Sequence, residues 1–116
     1  MKLQNDLGEI RISSEVFTAV TGCAATNCYG VKGMAVRSKT DGLVHLLKRE
    51  SMAKGVKVYY NEDGTVSIEL HIMVGDGVNL NAIGKSIIDE VRYMVEKCTG
   101  TKVRAVNVFV DTMMID

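Results

Sequence analysis

The chain has 116 residues, 47% hydrophobic and 24% charged, with fourteen basic side chains balanced by fourteen acidic ones. It is long enough to bury a core without disulfides or metals, and its formal net charge of zero supplies no global field to draw it onto nucleic acid or membrane. Apolar runs fall far short of the roughly 18–20 residues that span a bilayer, no signal-peptide stretch opens the chain, and three cysteines without a Cys-x-x-Cys pair indicate neither a disulfide framework nor a zinc site.

Leu7-Gly8-Glu9-Ile10-Arg11-Ile12 alternates and predicts a first short strand. Ser13 or Ser14 is placed to cap a helix, with Glu15 near its positive end. That helix runs through Val16, Val20, Cys23 and Ala24 to about Cys28, and its small residues (Ala19, Gly22, Ala24, Ala25) allow close approach of another backbone. Tyr29-Gly30 ends it, and Val31–Arg37 is extended. In residues 38–55, Asp41 to Arg49 reads either as a short helix near 42–49 capped by Asp41 or as a loop pinned by its leucines. Val56–Tyr60 is the next strand, closed by a hairpin turn at Asn61-Glu62-Asp63-Gly64.

The stretch from Thr65 to Asp111 is the most clearly patterned. Val66, Ile68, Leu70, Ile72 and Val74 alternate as the buried side of a strand, and Gly75-Asp76-Gly77 breaks it. Asn79 or Asn81 then caps a helix whose apolar stripe is Leu80, Ile83, Ile87, Val91, Met94, Val95 and Cys98, with Gly100 as its left-handed stop. Val106, Val108 and Val110 alternate in a closing strand. The order β-α-β-β-β-α-β, without repeat or linker, predicts a single α+β domain over residues 1–116. Its two helices pack on one face of a small mixed sheet.

If the helices cover Val58, Leu70 and Val108, the opposite face carries Lys57, Tyr59, Glu69, His71, Met73, Asn107, Phe109 and Asp111. Tyr59, Met73 and Phe109 make it partly apolar, which suits a partner or self-association surface; set against this is a cover formed by residues 38–55. Charge is uneven in the middle of the chain. Between Lys32 and Lys57 seven basic residues, including Lys48 and Arg49, face two acids, a local +5 against −5 elsewhere. Such asymmetry suits head-to-tail association or an anionic partner, and a plain solvated loop explains it as well.

Catalytic and metal chemistry find no foothold in the pattern. Cys23 and Cys28 lie on different sides of a helix, and buried structural roles are expected for Cys23 and Cys98. His45 and His71 lack ligand partners, and the acids are scattered rather than paired. Gly30-Val31-Lys32-Gly33 matches the GXXG loop of KH nucleic-acid modules, but Met34–Arg37 is extended where that fold needs a helix. The element order also resembles an RRM, whose stacking aromatics are missing from Leu7–Ile12 and Thr65–Val74. No cofactor, metal or catalytic residue is therefore expected.

Five segments occur in a telling order: Gly8-Glu9-Ile10-Arg11-Ile12-Ser13-Ser14-Glu15-Val16, Gly30-Val31-Lys32-Gly33-Met34, Lys54-Gly55-Val56-Lys57-Val58, Gly77-Val78-Asn79-Leu80 and Val106-Asn107-Val108-Phe109-Val110. Together they resemble the alkaline shock protein family of Gram-positive bacteria, also called the envelope stress response family, over about residues 8 to 112. The resemblance implies a small non-enzymatic cytoplasmic protein of cell-envelope stress or homeostasis. It implies self-association, or recruitment to the inner face of the membrane by an anchored partner, and no catalytic residues to transfer. A second branch of that family is encoded beside a dihydroxyacetone-kinase-like or fatty-acid-kinase protein, which makes a kinase accessory one alternative. A nucleic-acid-binding module using the basic 32–57 segment is the other. Asn81 stands where family members often carry a helix-starting proline.

Overall fold

The computed structural model describes residues 2–28, 30–37, 44–46 and 55–114. The elements run β1 (Lys2–Asn5), β2 (Gly8–Arg11), α1 (Ser14–Thr26), β3 (Val31–Arg37), β4 (Val44–Leu46), β5 (Val56–Tyr60), β6 (Val66–Gly75), α2 (Leu80–Thr99) and β7 (Val103–Met114). This is the α+β arrangement that the periodicity predicts, with helices on one side of a mixed sheet.

The main sheet is built around β6, whose even-numbered residues from Val66 to Val74 are all fully buried. One edge of β6 pairs in parallel with β7 along its whole length. The other edge is shared end to end: β5 pairs antiparallel with Val66–Leu70, and β3 with Ile72–Val74. A parallel neighbour requires a crossover, and α2 supplies it between β6 and β7.

The helix termini follow from local chemistry. Asn79 Oδ1 accepts the Ala82 N–H at 3.1 Å, satisfying one of the orphan donors at the start of α2. Gly100 ends the helix at φ 73°, with its N–H donating to the Glu96 carbonyl. The Glu96 carboxylate also accepts the Val103 N–H at 2.9 Å, which ties the first residue of β7 back to the helix.

The α2 stripe differs from the predicted one at both ends. Ile83, Ile87, Val91, Val95 and Thr99 are buried, whereas Leu80 and Cys98 are exposed. Each four-residue step carries a side chain about 40° further round a helix with 3.6 residues per turn. The buried row thus drifts from Ile83 to Thr99, as expected for a helix crossing the sheet obliquely, and leaves Leu80 and Cys98 off the line. In α1 the buried side is Phe17, Thr21, Ala24 and Ala25, which puts Cys23 on the outside and leaves Val16 exposed. The expectation of buried Cys23 and Cys98 is thereby corrected. Phe17 is fully buried and meets Tyr60 of β5 edge-on, with ring centroids 5.9 Å apart. Such a buried ring anchors α1 on the sheet.

Two further expectations change. The predicted first strand does not join the main sheet; β2 pairs instead with β1 in a separate ribbon whose eight strand residues are all exposed. Within the segment read as a short helix near 42–49, Val44–Leu46 is a strand paired antiparallel to Ala35–Arg37 of β3. Three residues carry too little periodicity to declare a strand; pairing with β3 decides it. Gly30 precedes β3 at φ +90°, where a Cβ would stand 2.5 Å from Ile83 Cδ1. The glycine is therefore needed both for its backbone and for packing on α2. Since Gly33 lies inside β3, at a register shift against β6, the KH-type loop between two helices is absent.

Candidate interaction face

The helices cover the side of the sheet holding Ile68, Leu70, Ile72 and Val106, and the odd-numbered residues of β5 and β6, with Ala105, Asn107 and Phe109 between the two register shifts of β7, face the other way. Cross-strand neighbours on that face are Lys57 beside Glu69, Tyr59 beside Ser67, Asn107 beside Glu69, and Phe109 beside His71. Tyr59 is 51% exposed and Phe109 43%. Met73 shares the face but is only 7% exposed, so its side chain adds little to the accessible surface. Lys48 and Arg49, and most of the basic middle segment with them, lie outside the described residues.

The centre of the face is held rigid by one polar cluster. The His71 and Phe109 rings stack with centroids 4.9 Å apart and planes 14° apart. His71 Nδ1 lies 2.8 Å from Asp111 Oδ2, and because a carboxylate only accepts, Nδ1–H is the donor. His71 Nε2 is 3.6 Å from Glu69 Oε2, too far for a good hydrogen bond. Asp111 reaches this position because β7 carries an extra residue there: Val110 opposes Ile72 and Thr112 opposes Met73. A bulge that re-aims a side chain is a built feature rather than a defect. The lone His71 of the sequence thus has carboxylates on both sides. The missed signal was the register between β6 and β7, which no single strand reveals.

Among the described residues no group of three or more His, Cys, Asp and Glu side chains is arranged to hold a metal ion. Burial pushes the Cys28 thiol above its ordinary value; the Ser86 hydroxyl, 3.9 Å from the sulfur, pulls it down, and the Glu90 charge adds to the rise. A raised thiol is the opposite of what a nucleophile needs. Two surface grooves stand out among the described residues. A groove of about 690 Å³ lies between the β1–β2 ribbon and the β5–β6 turn, bounded by Lys2, Arg11, Tyr60 and Glu62. Lys2 and Arg11 already pair with Glu9, which leaves them poor anchors for a ligand. The second groove, about 480 Å³, runs between α2 and the outer edge of β7. No helix among the described residues is long and apolar enough to cross a membrane.

The model of the alkaline shock protein family, described as having a cell envelope-related function, matches residues 2–115. The uncharacterized protein YloU of Bacillus subtilis (strain 168) is 33% identical over 99% of this chain and 96% of its own length. The uncharacterized protein Spy1614 of Streptococcus pyogenes serotype M6 is 32% identical over 99% of this chain and 95% of its own. The uncharacterized protein YqhY of B. subtilis is 27% identical, covering 95% of this chain and 80% of its own length. No solved structure gives a significant match. With the family model spanning nearly every residue and relatives matching end to end, the chain belongs to the alkaline shock protein family, whose function is related to the cell envelope.

Proposed function

We propose that this protein is a non-enzymatic scaffold of the cell envelope, which self-associates and presents the open sheet face around Tyr59 and Phe109 to a partner protein. The observation that supports this reading most directly is the stacked His71–Phe109 pair. An exposed aromatic ring held in one orientation contacts a partner at low entropic cost, and such rings are frequent anchors of protein interfaces. The flanking Glu69, Lys57 and Asn107 form the polar rim that accompanies such an anchor. A place at the membrane would come through an anchored partner rather than through a span in the described residues.

Size-exclusion chromatography with light scattering, at several protein concentrations and two salt concentrations, tests this reading. Self-association that rises with concentration and weakens in Phe109→Asp is expected. A strict monomer under every condition sinks self-association.

A further inference from the structure

β7 runs for twelve residues, and all its pairing within the described strands is with β6. Its outer edge therefore offers a row of backbone N–H and C=O groups without strand partners among the described residues. Native sheets blunt such an edge with charges, proline or bulges. Here the register shifts sit at Arg104 and Asp111, and the six residues between them, Ala105 to Val110, contain no charge and no proline. Beside this edge lies the groove against α2, where Leu80 is 44% and Val110 39% exposed. Gly84 lines the groove and faces open space, since a Cβ there would meet nothing within 4 Å.

We propose that this edge is covered by the same edge of a second copy, running antiparallel about a twofold axis near Val108. One continuous sheet would then cross the dimer. This rests on the self-association reading above and names its partner and its contact.

Two features of β7 select a second copy in the antiparallel sense. The first is charge. The strand is entered through Lys102 and Arg104 and left through Asp111, whose charge persists although its carboxylate accepts the His71 N–H, so antiparallel self-pairing sets a basic end near an acidic end at both extremities. Parallel pairing would set like charge on like. The second is side alternation. Val106 and Val108 lie on the helix side and Asn107 and Phe109 on the open side. With the axis at Val108, that residue meets its own mate, Val106 meets Val110, and Asn107 meets Phe109. Helix side then meets helix side throughout, and the grooves of the two copies, each lined by Leu80, Ile88 and the valines with Asn81 and Lys85 at the side, merge beneath the strands. A closed twofold contact of one patch with itself is also the commonest form of homo-oligomer.

Light scattering on the full chain, comparing the wild type with Val110→Lys, Leu80→Lys and Tyr59→Asp, tests the proposal. The three positions are exposed in the single chain, and far-UV circular dichroism confirms that each variant folds. The wild type is expected to be a dimer. Val110→Lys forces an unpaired charge against Val106 of the second copy and should raise the dissociation constant about 100-fold or more, with a smaller rise for Leu80→Lys. Tyr59→Asp, on the open face away from the edge, should leave the dimer intact. A wild-type oligomer that survives both lysine variants overturns the edge contact while leaving self-association standing. An oligomer lost in Tyr59→Asp and kept in Val110→Lys moves the contact to the open face and likewise overturns it. A monomer throughout overturns both.

Discussion

His71 and Phe109 stand opposite each other across the parallel β6–β7 ladder with their rings stacked, and Asp111 fixes the histidine from the bulged position two residues beyond Phe109. Three separate constraints thus hold one aromatic surface: strand register, ring stacking and a charge-assisted hydrogen bond. The bond joins side chains that are only 29% and 12% exposed, so water competes for it weakly.

Removing the carboxylate isolates that bond. Asp111→Ala should lower stability by about 1.5–3 kcal/mol, the range for a hydrogen bond to a charged group, read from chemical denaturation. Ring contacts in the NMR spectrum should show His71 turning away from Phe109. An Asp111→Ala protein with unchanged stability and unchanged ring contacts would mean that stacking alone holds the pair.

Thr21 is a polar residue out of keeping with its surroundings in the core. It is fully buried in α1, and its hydroxyl has no hydrogen-bond partner among the described residues. An unsatisfied buried hydroxyl costs roughly 1–3 kcal/mol. Thr21→Val keeps the shape and removes the hydroxyl, so it should raise stability by about 1 kcal/mol and the melting temperature by several degrees. Thermal melts of the two proteins decide the matter. A lower melting temperature in the valine form would show that the hydroxyl is satisfied in solution.

Much of this architecture was legible in the sequence wherever one element carries its own signal. The alternation of Val66–Val74, a cap at Asn79 or Asn81 and the Gly100 stop each act within a few residues; the structure places the strand and the stop as read and selects Asn79 of the two caps. What was not legible depends on elements meeting one another. β4 exists through its pairing with β3, and β1 through its pairing with β2. The oblique drift of α2 set Cys98 outside, and the two-against-one step at Asp111 brought a carboxylate to His71. The open face itself was deduced from parity alone. Its working geometry was not, because period two says which side a residue faces and nothing of what stands beside it.

The three cysteines differ enough to be separated by chemistry. Cys23 and Cys98 are exposed, whereas Cys28 is partly covered and its thiol is pushed above the ordinary value, chiefly by burial. Since the thiolate is the reactive form, alkylation near neutral pH should modify Cys23 and Cys98 first and Cys28 last. The lag of Cys28 should shrink as pH rises through and beyond the usual thiol range. Mass spectrometry of timed samples reads the order, and early modification of Cys28 would contradict the packing of α1 against α2.

The β5–β6 turn makes a prediction about acid. Asp63 Oδ1 accepts the Thr65 hydroxyl at 2.6 Å and the Thr65 N–H at 3.0 Å, and these bonds, the hydroxyl first, hold its carboxyl below the usual carboxylate value. The Arg104 charge adds a smaller pull in the same direction. A carboxyl whose folded value is depressed stabilises the fold above its unfolded value and loses that contribution as pH falls through the folded one. Asp63→Ala should therefore melt below the wild type at neutral pH, and the gap should close as the solution is acidified past the carboxylate range. The contribution is modest, since Asp63 is fully exposed and water screens its charge. The turn keeps further support from Asn61, whose side-chain amide donates to Thr65 Oγ1 and Ser67 Oγ. A gap that stays constant from neutral to acid pH would assign the Asp63 effect to turn conformation rather than to its charge.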